Sequence, residues 1–209
     1  MNEVHPFEVA DQVKGFLDPW EGRRLFEVAL SAAELGPCLE IGSYCGKSTV
    51  YLGAACRSKQ AVLFSVDHHK GSEEQQPGEE YFDPALIDPR TFCMDTFPLF
   101  RRTLRLAHLE QTVVPLVCPS QIAAKSWATP LGLVFIDGGH AYETVLGDYQ
   151  AWWPHILPDG YLLFHDIFPD PSQGGQAPFE IYQMALASGN FVELPKTATL
   201  GVLRRVQKK

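Results

Sequence analysis

The chain has no run of 18 apolar residues, no C-x-x-C pair, no internal repeat and no excess of positive charge. Each absence removes a class of function. Without a long apolar run, no membrane-spanning helix is expected. Residues 1–18 contain no apolar stretch like the centre of a secretory signal, so a cytoplasmic location is expected. Five cysteines, at positions 38, 45, 56, 93 and 118, are odd in number and scattered. They predict buried thiols in a reducing compartment, not a disulfide framework. The net charge of −8 argues against a nucleic-acid partner, because phosphate binding needs a basic surface. Arg101, Arg102 and Arg105 cluster within a helical pattern and read as a solvated face, and Lys208-Lys209 is too short to act as a binding tail.

What is present suits a single domain. A chain of 209 residues, 45% hydrophobic and 20% charged, can bury a sizeable core. Helical patterns cover residues 7–17 and 20–35, and strands then alternate with helices. Strands are predicted near 38–42, 61–67, 112–117, 132–137, 160–165, 190–194 and 200–206. Helices are predicted over 46–57, 96–107, 119–127, 141–156 and 177–188. This alternation implies an α/β fold, a doubly wound and mostly parallel seven-stranded sheet with helices on both faces. Only a turn from Pro195 to Thr199 separates the last two strands, which predicts an antiparallel hairpin. Residues 1–36 are expected to pack as N-terminal helices on a domain of residues 37–209.

Two long connections, 68–95 and 167–176, interrupt the rhythm. Both follow strands at their carboxyl ends, the edge where open α/β sheets bind ligands. The first predicts a lid-like insertion and the second a substrate wall; a tolerated surface insertion is the plainer alternative. Tyr81, Phe82, Phe92 and Phe97 would line an apolar substrate pocket or simply pack the lid down.

The densest signal is Leu39-Glu40-Ile41-Gly42-Ser43-Tyr44-Cys45-Gly46-Lys47-Ser48, a short strand, a glycine turn and a helix start. Glycines leave backbone amides open to a ligand. A phosphate-binding loop would read G-x-x-x-x-G-K-[ST], and here the glycines are one residue too close. Glu40 would also repel a triphosphate, while it suits a ligand with an ammonium group. S-adenosylmethionine has such a group and no phosphate. Asp67 ends the next strand, 25 residues after Gly42, near the spacing of acids that bind ribose hydroxyls. His68 and His69 follow it, facing the same cleft or a solvated loop; we count His68 with the cofactor set.

The first motif is similar to that of catechol O-methyltransferases. Ile136-Asp137-Gly138-Gly139-His140-Ala141-Tyr142-Glu143 and Phe164-His165-Asp166 resemble bacterial sugar and macrolide O-methyltransferases. Together the motifs resemble class I S-adenosylmethionine-dependent methyltransferases from about Trp20 to Val206. The resemblance implies a Rossmann-like sheet ending in the hairpin, and S-adenosylmethionine as cofactor. Gly42, Ser43, Tyr44, Gly46 and Ser48 would approach its methionine portion, with Asp137 and Gly138 beside them. Glu40 would act through its charge or through hydrogen bonds directed at the backbone. Ser120-Gln121 would meet the adenine, although Pro119-Ser120 reads equally well as an ordinary helix start. Asp137, His165 and Asp166 would hold a divalent ion. Magnesium is the first expectation, but His165 stands where an acid is often found, and imidazole suits manganese or another transition metal better. The resemblance also makes His140, past two glycines, the general base, with Asp137 beside it in the catalytic set.

The expected acceptor is a small-molecule hydroxyl, and a homodimer is the family-level expectation. The rivals are a metal-independent N-methyltransferase, a P-loop-like nucleotide-binding protein, and a non-catalytic binder that keeps the cofactor as a ligand.

Overall fold

The computed structural model describes residues 6–207, so the Lys208-Lys209 pair lies outside the described residues. Seven strands form one sheet: β1 (Cys38–Ile41), β2 (Leu63–Val66), β3 (Val113–Leu116), β4 (Leu131–Ile136), β5 (Ile156–Phe164), β6 (Phe191–Thr197) and β7 (Leu200–Arg205). Their order is β3-β2-β1-β4-β5-β7-β6. Strands β1 to β5 pair in parallel, while β7 lies antiparallel between β5 and β6. The predicted hairpin is therefore present. Pro115 and Pro195 fall in the edge strands β3 and β6, where a missing N–H is tolerated.

Among the described residues, seven α-helices accompany the sheet: α1 (Pro6–Ala10), α2 (Pro19–Ala32), α3 (Lys47–Ser58), α4 (Phe97–Leu106), α5 (Ser120–Ala124), α6 (Tyr142–Trp152) and α7 (Ala177–Ala187). Alternate residues of the buried strands face opposite layers. Cys38, Leu63, Leu133 and Phe135 pack with Val9, Leu25, Leu52 and Phe100 of α1 to α4. Leu39, Ile41, Val134 and Ile136 pack with Val145, Trp152, Ile181 and Tyr182 of α6 and α7. Among the described residues, no helix is long and apolar enough to cross a membrane.

Several predicted helices are shorter than their patterns. The helix expected over 7–17 stops at Ala10. Beyond it Gly15 lies against Lys47, so close that an added Cβ would stand 2.8 Å from the lysine Cβ. The helix expected over 119–127 is only Ser120–Ala124. Its chain turns off so that Trp127 can pack edge-on to Phe64 and Trp152, with its indole N–H on the Thr129 carbonyl at 2.7 Å. Strand β5 starts four residues earlier than expected, after a short 3-10 turn at Trp153–His155. The insertion 68–95 carries 3-10 turns at Glu73–Gln75 and Pro84–Leu86 and an antiparallel bridge between Ile87 and Met94.

Candidate active site

The order of the strands reverses between β1 and β4, and the crevice at such a switch point is where open α/β sheets bind ligands. Two cavities open there. The larger, about 360 Å³, is lined by Gly42, Asp67, Ser120, Gln121, Gly138 and Asp148, among others. The smaller, about 190 Å³, adjoins it at Gly42, Tyr44, Asp137 and Gly138 and reaches His140, His165 and Asp166.

The glycine turn is held open by its geometry. Gly42 has φ +82°, and a Cβ on it would stand 2.2 Å from the Asp137 carbonyl oxygen. No other residue fits that approach of β1 to β4. Gly46 begins α3 at φ +94°, again in the left-handed region, with its N–H on the Ser43 carbonyl at 2.7 Å. Asp67 clamps the turn. Its Oδ2 accepts from the N–H groups of Ser43 and Tyr44 at 2.9 and 2.8 Å, and Oδ1 accepts from the His69 N–H at 2.6 Å. The acid at the tip of β2 thus touches both the larger cavity and the turn beside it.

Glu40 sits beneath the turn. It is fully buried and takes its hydrogen bonds from side chains, not backbone: the Thr49 hydroxyl at 2.5 Å and the Ser48 hydroxyl at 3.1 Å. Burial pushes its carboxyl up to about 7, with the hydroxyls of Thr49, Ser65 and Ser48 working the other way. Glu40 and Gly46 line neither cavity; they shape the turn from below. His68 is exposed at the rim, where its Nδ1 accepts the Lys70 N–H at 3.0 Å. His69 is buried against Phe97 and Phe100 with Nδ1 2.8 Å from the Thr96 hydroxyl, which removes it from any proton-transfer role in the cleft.

At the far side of the larger cavity the Trp152 indole donates to the Ser120 hydroxyl at 2.7 Å, and Gln121 donates to Asp148 at 3.0 Å. Asp148 is buried, and burial pushes its carboxyl up to about 6. Nothing in the sequence singles it out, because it lies in the middle of α6 and reaches Gln121 only through the fold.

The smaller cavity ends in a cluster of charges. His165 is buried between Glu21 on one side, Nε2 to Oε2 at 3.0 Å, and two acids on the other. Its Nδ1 lies 3.1 Å from Asp137 Oδ1 and 3.3 Å from Asp166 Oδ2. His140 bridges Asp166, through Nε2 at 3.2 Å, and Glu74 of the insertion, through Nδ1 at 2.9 Å. The hydrogen bond to Asp166 pushes the His140 imidazole up to about 9, against burial and with help from the charge of Glu74. Burial alone would depress His165, but the charges of Asp137, Asp166 and Glu21 outweigh it and keep the ring protonated far above the usual histidine range. Burial also opposes ionisation of Asp166, yet the hydrogen bonds from the two histidines hold its carboxyl well below the usual range. Asp137, under the same burial with Asp166 nearby, is raised.

The predicted metal set is thus brought together: the ligating atoms of Asp137, His165 and Asp166 all lie within 4.8 Å of one another. Octahedral ligands held at about 2.1 Å stand about 3.0 Å apart along an edge. The separations from His165 Nδ1, 3.1 and 3.3 Å, are close to that edge. Two carboxylates and one imidazole suit manganese and its neighbours better than magnesium. The donor set therefore fits a divalent ion, and Glu21 stands behind the histidine as its outer carboxylate.

Sequence reasoning missed Glu21, Glu74, Lys14 and Phe16. Glu21 is legible only as the third residue of a capping box begun by Asp18. Lys14 ion-pairs with Asp83 of the insertion, and Phe16 packs on Tyr44 and Tyr81 at 5.7 and 5.3 Å. Residues 14–17 and the insertion together wall the smaller cavity. Tyr81 lines this cavity, whereas Phe97 packs on His69 and Phe92 is 80% exposed, so neither lines it.

Known structures share this architecture. A protein from Corynebacterium glutamicum is 15% identical with TM-score 0.68, covering 100% of this chain and 93% of its own. The O-methyltransferase TomG of Streptomyces achromogenes, solved with S-adenosylmethionine, is 14% identical with TM-score 0.65, covering 99% of this chain and 92% of its own. An O-methyltransferase from Bacillus cereus, solved with S-adenosylhomocysteine, is 14% identical with TM-score 0.64, covering 96% and 90%. At such identities the likeness is one of fold. A family model described as a methyltransferase domain matches residues 39–167, more than half of the chain. With that match and this fold, the chain belongs to the class I S-adenosylmethionine-dependent methyltransferases.

Proposed function

We propose that this protein transfers the methyl group of S-adenosylmethionine to a hydroxyl of a small molecule, with a divalent ion bound by Asp137, His165 and Asp166. The observation that carries the proposal is the convergence of those three residues and His140 on the smaller cavity, next to the glycine turn. Gly42, Ser43 and Tyr44 would hold the methionine portion, Asp67 the ribose, and Ser120 and Gln121 the adenine. Asp67 keeps acceptor capacity beyond its bonds to the turn, since an ionised carboxylate has about four acceptor sites. The cofactor supplies the activated methyl on sulfur, and the ion supplies a positive charge that grips the acceptor oxygen.

The residues of the chain do the rest. Lys14 to Leu17 and the insertion wall the smaller cavity, where they would shield the transfer from water. Glu74 accepts from His140 Nδ1–H, which leaves Nε2 as the atom that takes the acceptor's proton while the methyl moves from sulfur to oxygen. In the protein alone, Asp166 occupies Nε2 and keeps the ring protonated. An ion held by Asp137, His165 and Asp166 would draw the Asp166 charge away from Nε2 and leave that nitrogen to the acceptor.

A metal-independent transfer to nitrogen is the second reading. The observation that favours it is that an imidazolium at His165 satisfies Asp137, Asp166 and Glu21 with no ion. Chelation separates the two. The assay is S-adenosylhomocysteine release with a panel of catechols, phenols, hydroxylated sugars and amines, before and after EDTA. We expect EDTA to abolish turnover on the hydroxyl acceptors, manganese or magnesium to restore it, and Asp166→Ala to remove it permanently. Full activity after exhaustive chelation would overturn the metal-assisted mechanism.

A further inference from the structure

Resting on that proposed metal site, we propose that Glu21 is a positioning residue that keeps a proton on His165 Nε2, so that Nδ1 is the atom offered between Asp137 and Asp166. Glu21 is 3% exposed, and donors surround its carboxylate. Oε1 accepts from the Thr199 N–H at 2.7 Å and the Thr199 hydroxyl at 2.8 Å. Oε2 accepts from the Asp18 N–H at 3.4 Å and faces His165 Nε2 at 3.0 Å. The two backbone N–H groups can only donate, and an ionised carboxylate can only accept, so the ring nitrogen facing Glu21 carries the hydrogen.

The other ring nitrogen is in the opposite situation. Nδ1 faces two carboxylate oxygens at 3.1 and 3.3 Å. A bare Nδ1 would make three electron-rich atoms converge, and only a cation, either a metal ion or a proton, reconciles them. A carboxylate on the far nitrogen of a metal-binding histidine fixes the tautomer and the ring direction. Here that carboxylate comes from the first turn of α2, and its other partner, Thr199, comes from the turn between β6 and β7. Two distant segments thus pin one imidazole at the tip of β5.

Glu21→Gln tests the assignment almost isosterically. The Thr199 donors select the amide orientation: the amide oxygen takes the place of Oε1, and the NH₂ group faces His165 Nε2. Two donors then oppose each other. The ring is expected to give up the Nε2 proton and keep one on Nδ1, where it blocks an ion.

The experiment pairs Mn²⁺ binding by calorimetry with nitrogen-15 spectra of the His165 ring, in wild type and Glu21→Gln. S-adenosylhomocysteine binding in EDTA serves as the check on folding. We expect the wild-type ring to carry a proton on Nε2 both in EDTA and in Mg²⁺. In Glu21→Gln we expect the proton on Nδ1, Mn²⁺ affinity lowered about 10- to 100-fold, and S-adenosylhomocysteine affinity within about twofold. Thr199→Val removes one donor to Oε1 but leaves Glu21 in place, so it should loosen the region and keep the Nε2 proton. A wild-type ring with bare Nε2 would overturn the assignment, as would a Glu21→Gln variant with unchanged ring spectrum and unchanged Mn²⁺ affinity. If the wild type binds no Mn²⁺, the metal-assisted function fails on its own, and the ring spectra still decide the role of Glu21. If Glu21→Gln does not fold, the wild-type and Thr199→Val spectra decide it.

Discussion

At the larger cavity the backbone amides of the glycine turn and the neutral Ser120 and Gln121 stand beside acids that are already engaged, Asp67 clamped by three N–H groups and Asp148 by Gln121. At the smaller one, Glu21, Glu74, Asp137, His140, His165 and Asp166 share protons across 2.9 to 3.3 Å. The first region is set mainly by main-chain shape and would hold the proposed cofactor through the open turn. The second is set by charge and would change state on taking up an ion or a proton. Binding and chemistry should therefore fail separately, and each variant below tries to mix them.

The largest effect is expected at His140. His140→Gln should lower kcat about 10²- to 10⁴-fold, the usual contribution of a positioned base, on whichever acceptor of the panel turns over. S-adenosylhomocysteine affinity, read by calorimetry, should stay within about twofold. Only the neutral ring accepts a proton, and the ring is raised to about 9. In the ion-loaded enzyme the wild-type rate should therefore climb with pH along a limb that lies below about 9, because a cation at Asp166 would oppose that rise. In the variant the limb should vanish. A wild-type kcat in His140→Gln would place the base elsewhere.

Glu40 carries the next effect, on stability. Its carboxyl is raised from the unfolded value near 4.5 to about 7, so the folded state holds a proton that the unfolded state releases between those values. The associated stability is fully present below about pH 4.5 and is lost as pH rises through about 7. It amounts to about 3 kcal/mol. Glu40→Gln has no such proton. The wild-type advantage over the variant, from urea melts at pH 4.5 and pH 8, should therefore shrink by about that amount. A pH-independent difference would mean that Glu40 is ionised throughout.

Asp67→Ala should weaken S-adenosylhomocysteine about 10- to 100-fold, one or two charge-assisted hydrogen bonds, with or without EDTA. An unchanged dissociation constant would leave Asp67 as a clamp on the turn alone. The smallest change belongs to His68→Ala. The ring is exposed and already caps the Lys70 N–H, so affinity should move by no more than about twofold.

The same contrast explains what could be read in advance. Seven strands, their alternation with helices and the hairpin were legible because buried strands and amphipathic helices leave periodic marks over neighbouring residues. The glycine turn was legible for the same reason: Gly42 and Gly46 satisfy local backbone demands. Asp137, His140, His165 and Asp166 stood out because they end buried strands or follow them closely. Glu21 did not, since its contact with His165 spans 144 positions and exists only after the sheet has closed. Glu74 and Phe16 were hidden too: Glu74 lies in a three-residue 3-10 turn too short to leave a period, and Phe16 lies beyond Ala10, in a stretch whose helical pattern the fold does not follow. The shortened helices at Ala10 and Ala124 show tertiary contacts, Gly15 on Lys47 and Trp127 on Trp152, overriding local pattern.

The contact of Gly42 with the Asp137 carbonyl bears on how a chain of this kind can diversify. The two cavities meet at a point with no room for a single carbon atom. The turn and the strand tip cannot be redesigned one at a time, because any side chain at Gly42 would displace the first proposed ligand of the ion. New acceptors must instead be accommodated where spare volume and solvent exist, in residues 14–17 and in the insertion. There Phe16 and Tyr81 are 61% and 43% exposed and meet each other across the mouth. Change in the range of the proposed acceptor is thereby steered to the rim, while the joint between the two cavities stays as it is.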